Sequence, residues 1–211
     1  MLEKKTVREF IEELASSSPA PGGGSVSAIS ASLASALTSM VCNLTVGKKS
    51  YNELEEDKKA SIDETLKACE ELKFKFLDLM NEDTEVFLEL MKTFKMPKDT
   101  EEEKKVRSEK IQLGYKKSLE VPLSTAKAAF ELYKHILIAA QYGNKNAVSD
   151  AGVAALMTQS AIEAAILNVK INMSSIKDEE YKNGIEKDIE NISSEGTKLR
   201  EEILKIVNSK I

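Results

Sequence analysis

The chain has 211 residues, 42% of them hydrophobic and 31% charged, which is enough apolar material for a substantial core and excludes a disordered polymer or a disulfide-stapled miniprotein. Its formal charge is -5, from 30 Lys and Arg against 35 Asp and Glu, so no basic excess is available to neutralise a phosphate backbone and general nucleic-acid binding is disfavoured. Cys42 and Cys69 are isolated, without CxxC spacing, and are expected as buried free thiols of a reducing compartment such as the cytoplasm.

Thr6 and Glu9 have capping-box spacing, and Val7, Phe10, Ile11 and Leu14 then make one apolar face, which predicts a first helix. After the loop Pro19-Ala20-Pro21-Gly22-Gly23-Gly24-Ser25, the positions Val26, Ile29, Leu33, Leu37, Met40 and Leu44 recur at steps of three and four. They predict a helix of roughly six turns, ended by Gly47. No charged residue occurs between Leu14 and Gly47, a stretch long enough to span a membrane, but the helical part carries Ser27, Ser30, Ser32, Ser35, Thr38, Ser39 and Asn43. That polarity fits a helix surrounded by protein helices rather than lipid, so no membrane partner is expected. The N-terminus, with Glu3 and Glu9, does not read as a signal peptide.

A very long helix is predicted from about Asp57 through Phe94, with Leu66, Cys69, Phe76, Leu79, Phe87 and Leu90 on one side and Pro97 as its stop. Thr100 and Glu103 repeat the capping box and open a charged helix containing Arg107, Ile111 and Tyr115. Pro122 is then placed in the first turn of a separate helix, where its missing N–H is tolerated, with Gly143-Asn144 as the end. Ser149 and Asp150 are expected caps of a second small-residue helix, in which Val153, Leu156, Met157, Ile162, Ile166 and Leu167 alternate with alanines. A Lys/Glu-rich helix with Ile185, Ile189, Ile192, Leu199, Ile203 and Val207 at helical intervals finishes the chain. No strand signal is present. The expectation is an all-α fold, one domain over residues 1–211, built as an antiparallel helical bundle with the two small-residue helices at its centre. Its long apolar faces can also serve a homodimer by extending packing across a two-fold axis.

Five features could carry chemistry. The glycine loop Gly22-Gly23-Gly24-Ser25 stands directly before a helix N-terminus, where outward N–H groups and the positive dipole end suit a carboxylate or carbonyl oxygen. It has neither Walker spacing nor a preceding strand, and it reads equally as a turn that lets helices pack closely. Asp83 lies four positions after Leu79 and four before Phe87, on the apolar stripe itself. A carboxylate there is either a satisfied structural group or one whose burial raises its pKa until it can accept and release protons. Asn168 and Asn172 share a helix face and could orient a polar heterocycle or bond a neighbouring helix terminus. Asp150 could touch substrate or cap a helix. Lys48, Lys49, Lys98 and Arg107 could meet an anionic tail or be solvated charges. The lone His135 has no second histidine, so a zinc site or a Ser-His-Asp triad is not expected, and no other metal-ligand spacing is present.

Several ordered segments resemble a known family over almost the whole chain: PAPGGGSV at Pro19 to Val26, the segment ending VGKK at Lys49, EDTEVF at Glu82 to Phe87, MPKDTEEEKKVR at Met96 to Arg107, VPL at Val121 to Leu123, and SDAGVAA followed by NVKIN ending at Asn172. The family is that of tetrahydrofolate cyclodeaminases and cyclohydrolases. It includes the C-terminal domain of formimidoyltransferase-cyclodeaminase and stand-alone methenyltetrahydrofolate cyclohydrolases. The resemblance implies an all-helical subunit, a homodimer, no prosthetic group, and a tetrahydrofolate derivative bound as substrate near the glycine segment. It assigns Asp83 as proton donor and acceptor. Gly22, Gly23, Gly24, Ser25, Lys48, Asp150, Asn168 and Asn172 match other motif positions and are expected to bind substrate. Gly47-Lys48-Lys49 stands where relatives carry Gly-Arg-Arg, which turns a bidentate contact into a point-charge contact. Hydrolysis of 5,10-methenyltetrahydrofolate to 10-formyltetrahydrofolate is the favoured reaction, because these residues include no formimidoyltransferase domain. The alternatives are a cyclodeaminase releasing ammonia, and a folate-binding helical protein without turnover.

Overall fold

Two helices start where the sequence supplies reciprocal caps. In the computed structural model, which describes residues 1–211, Thr6 opens helix α1 (Val7–Leu14) and Thr100 opens α5 (Glu101–Tyr142). In each box the threonine hydroxyl accepts from the N–H of the glutamate three residues on, at 3.2 Å, and that glutamate accepts from the threonine N–H. The remaining helices are α2 (Gly23–Asn43), the short α3 (Lys49–Asn52), α4 (Glu56–Thr93), α6 (Val148–Met173) and α7 (Glu179–Asn208), and there are no strands.

Helix α2 packs between α4 and α6 with α5 behind it, and α6 packs in turn on α5 and α7. The α2/α6 pair is antiparallel. Gly23 at the start of α2 lies against Asn168 near the end of α6, while at the far end Asn144 donates to Thr45 Oγ1 at 2.7 Å and to the Leu44 carbonyl at 2.9 Å. Serine hydroxyls tie α2 to α4: Ser32 donates to the Lys73 carbonyl at 2.9 Å and Ser35 to the Cys69 carbonyl at 3.0 Å. Both α2 and the Lys145–Met173 stretch are long and apolar enough to cross a membrane, and most of each lies inside the bundle.

Small residues make up most of the inward sides of α2 and α6, with Val41, Ile162, Ile166 and Val169 buried among them. Ala28, Ala31 and Ala34 of α2 and Ala151, Ala154, Ala155, Ala161 and Ala165 of α6 are fully buried, because only short side chains let the backbones approach this closely. Leu33, Met40 and Leu44 of α2, and Val153, Leu156, Leu167 and Ile171 of α6, are exposed. The helical period read from the sequence is present, but its bulky positions divide: Leu33, Met40, Leu44, Val153, Leu156 and Leu167 point outward, while Ile162 and Ile166 are buried. These exposed side chains lie on the sides of α2 and α6 turned away from the bundle.

Two expectations are corrected. Pro122 does not begin a helix; it sits inside α5, which runs unbroken for 42 residues. A proline there leaves the carbonyl four residues earlier without its helical donor. That carbonyl, on Ser118, accepts instead from Asn172 Nδ2 at 3.0 Å. Nor do Ser149 and Asp150 cap α6: its N-cap is Ala147, a 3-10 turn at Lys145–Ala147 precedes it with Asn144 as that turn's cap, and Asp150 lies in the first helical turn. There its charge complements the helix dipole. His135 is buried beside Thr65, 3.3 Å from its hydroxyl to Nδ1, and burial holds its pKa below the usual value.

Candidate active site

The N-terminus of α2 is short of a side-chain cap, since Gly22 occupies the N-cap position. A carboxylate from another helix fills that role. Asp83, on α4, accepts from Ser25 Oγ through Oδ2 at 2.9 Å and also from the Ser25 N–H, so an orphan backbone donor and the positive end of α2 both meet its charge. The approach requires glycine. A Cβ on Gly24 would lie 2.0 Å from Asp83 Oδ1, and one on Gly23 would lie 3.1 Å from Asn168 Nδ2. Burial drives the Asp83 pKa up, and the two Ser25 hydrogen bonds offset part of that rise without cancelling it. The result is a carboxylate whose proton affinity moves toward the range useful for acid/base catalysis.

Asp83 and the three glycines open onto a cavity of about 460 Å³. Its apolar wall continues along α4 through Phe87, Leu90 and Phe94, and Tyr115 of α5 completes it. The Phe94 and Tyr115 rings meet edge to face, with centroids 6.1 Å apart. Arg107 donates to the Phe94 carbonyl at 3.2 Å and so ties down the C-terminus of α4. Asn168 and Asn172 line the opposite wall. Asn168 Nδ2 donates to the Ala164 carbonyl at 2.8 Å. Asn172 Nδ2 spends its hydrogens on the Ser118 and Asn168 carbonyls, at 3.0 and 2.9 Å, which leaves Oδ1 as the polar atom available to a ligand. No lysine or arginine lines the cavity, and no three His, Cys, Asp or Glu side chains are grouped to hold a metal ion.

Of the residues singled out in the sequence, Gly22, Gly23, Gly24, Ser25, Asp83, Asn168 and Asn172 are brought together here. Lys48 and Asp150 are not. Lys48 follows the far end of α2 and Asp150 lies in the first turn of α6, each about 30 Å from the glycine segment by the rise of an α-helix. Phe94, Tyr115, Ser118 and Ile171 line the cavity without having been singled out as site residues. For Phe94 a signal existed, because the apolar stripe carrying Asp83 runs on to it along α4. Tyr115, Ser118 and Ile171, on other helices, gave none.

A concave pocket with an apolar wall, one half-buried carboxylate and two fixed amides is a candidate site for a polar small molecule, set in a helical bundle. The profile of the formiminotransferase-cyclodeaminase family matches residues 6–191, and the chain belongs to that family. It is 38% identical to a methenyltetrahydrofolate cyclohydrolase of Methylorubrum extorquens over the full length of both proteins. It is 34% identical to the formimidoyltransferase-cyclodeaminase of Gallus gallus over 86% of this chain and 33% of that one. The chain thus spans about a third of the bifunctional relatives. In solved structures it resembles a formiminotetrahydrofolate cyclodeaminase from Thermotoga maritima, with a TM-score of 0.87 and 28% identity over 99% of this chain and 98% of the other.

Proposed function

We propose that the protein hydrolyses 5,10-methenyltetrahydrofolate to 10-formyltetrahydrofolate, with Asp83 as proton acceptor and donor. The observation that carries this is the half-buried Asp83 carboxylate, held by Ser25 against the glycine turn in the cavity that also collects Asn168 and Asn172. Water adds to the carbon bridging N5 and N10, and Asp83 takes its proton. The bond from that carbon to N5 then breaks, N5 receives a proton from Asp83, and the formyl group stays on N10. With the second proton of water lost to solvent, the cationic methenyl compound plus water gives the formyl product plus one proton. The Phe87, Phe94 and Tyr115 wall suits the flat face of a pterin, and Asn172 Oδ1 suits its hydrogen-bond donors. The reading needs no prosthetic group, since the folate is the substrate.

The full-length identity to the Methylorubrum cyclohydrolase favours this reaction. The structural likeness to the Thermotoga cyclodeaminase supports a second one, in which N10 attacks a formimino carbon on N5 and ammonia leaves. Both pass through a tetrahedral bridging carbon and need one proton shuttle. Purified protein mixed with methenyltetrahydrofolate, followed by near-ultraviolet absorbance, tests the first. Ammonia release from formiminotetrahydrofolate tests the second. Loss of the methenyl absorbance at an enzyme-dependent rate supports the proposal, and no acceleration over buffer refutes it. The reading also includes a homodimer formed through the exposed α2/α6 face and a cytoplasmic location, supported by the two buried free cysteines.

A further inference from the structure

We infer that Thr84 is a positioning residue of the proton shuttle: its hydroxyl holds the Ser25 oxygen in place while the Ser25 hydrogen turns between the Asp83 carboxylate and the Met80 carbonyl. This rests on the folate reading and adds how one carboxylate alternates between charged and neutral forms without rearranging the site.

Three oxygen atoms of α4 surround the Ser25 hydroxyl. Asp83 Oδ2 is 2.9 Å away, the Met80 carbonyl 3.3 Å and Thr84 Oγ1 3.3 Å. A serine has one hydrogen to give. The short contact takes it while Asp83 is charged, because a bond to an ionised acceptor is the shorter and stronger kind. Ser25 therefore has none left for Thr84, and Thr84 donates to Ser25. The order Thr84 to Ser25 to Asp83 follows from the count of hydrogens. Ser25 is fully buried, so no water competes for its hydroxyl.

The Met80 carbonyl gives the hydrogen its second position. It stands four residues before Thr84 in the unbroken α4, so it takes the Thr84 N–H in the helical ladder and keeps a second lone pair for Ser25. Once Asp83 has taken the proton from water, its carboxyl no longer demands the Ser25 hydrogen, which turns to Met80. When N5 takes the proton, that hydrogen returns to Asp83. The oxygen atoms keep their places, with Thr84 donating to Ser25 throughout.

In the charged state the Thr84 bond polarises the Ser25 hydroxyl and makes it a better donor to Asp83. No neighbouring charge competes with this effect. Helix α2 has no charged side chain, the α6 wall presents Asn168 and Asn172, and α5 presents the Tyr115 phenol. Glu82 and Glu85, beside Asp83 on α4, are exposed or turned from it, and burial and the two Ser25 bonds are what set the Asp83 pKa.

Titration of the acid itself tests this. Thr84→Val keeps the shape of the side chain and removes its hydroxyl, whereas Thr84→Ser keeps the hydroxyl. With aspartate labelled by carbon-13 at the carboxyl, Asp83 is followed by NMR, its resonance identified by its loss in Asp83→Asn. Thr84→Val is expected to raise the Asp83 midpoint by about 0.3 pH unit and to move the acidic limb of kcat/KM upward with it. Thr84→Ser is expected to leave both at their wild-type positions. In a Ser25→Ala background Thr84→Val is expected to add no further shift, because Thr84 acts only through Ser25. A wild-type midpoint in Thr84→Val, a shift in Thr84→Ser as large as in Thr84→Val, or a Thr84→Val shift undiminished by Ser25→Ala overturns the inference. If wild-type protein turns over no folate while the titrations follow this pattern, the folate reading fails and the hydrogen-bond relay stands.

Discussion

The main chain of Gly24 passes so close to the Asp83 carboxylate that a Cβ at Gly24 would lie 2.0 Å from Oδ1. No side chain fits in that gap, so the glycine turn and the acid form one unit. Gly24→Ala is expected to fold, because Asp83 can swing away, but to lower kcat at least about tenfold as the acid leaves its working position. Gly23→Ala meets only the Asn168 amide, at 3.1 Å, and is expected to act mainly on KM. Steady-state kinetics on the two variants separate these outcomes. Wild-type kcat in Gly24→Ala would contradict the account.

Ser25 tunes the acid. Its hydroxyl and N–H both favour the charged carboxylate, against the burial that raises the Asp83 pKa. Ser25→Ala removes one of the two opposing bonds, so the pKa rises further and the basic form of Asp83 is reached only at higher pH. The acidic limb of the kcat/KM profile is expected to move up relative to wild type. A limb that stays in place or moves down would show that Ser25 does not set this proton affinity.

Asp83 should cost stability where it is charged. Its folded-state pKa stands above the ordinary value of 3.8, so the native state holds the proton more tightly than the unfolded chain does. The stabilisation from that proton is complete below about pH 3.8 and is lost as pH rises through the raised folded-state value. Asp83→Asn has no such loss. Its Tm is expected to exceed that of wild type near neutral pH, and the gap to close on acidification. Thermal melts of both proteins across the acidic range check the sign; a wild type more stable at neutral pH would reverse it.

Pro122 bears on the site through a carbonyl. Because it cannot donate within α5, the Ser118 carbonyl is free to accept from Asn172 at 3.0 Å. Pro122→Ala restores a competing helical N–H. Asn172 then loses part of its hold, and KM is expected to rise severalfold with kcat little changed. An unaltered KM would make the proline a matter of α5 packing alone.

These residues also mark how much was legible in the sequence. Asp83 stood out because a carboxylate interrupted an apolar stripe, and the glycines because no ordinary helix opens on three of them. Pro122 was misplaced for a physical reason: a proline suits a first turn in isolation, and only the Asn172 side chain, fifty residues further on, makes it tolerable inside a helix. Ser149 and Asp150 lost the capping role to a preceding 3-10 turn that leaves no periodic trace. For α2 and α6, periodicity identified the helices but not the side they bury. There the exclusion of bulk from closely packed backbones decides, and Leu33 and Leu167 turn outward where the fold leaves them room.

The central claim is that Asp83 moves protons on a folate bound in this cavity, and kinetics of Asp83→Asn against methenyltetrahydrofolate test it most directly. The expected result is a kcat lowered at least about a hundredfold with KM within about tenfold, since the amide keeps the shape but cannot exchange the proton. A variant that turns over as fast as wild type would contradict it.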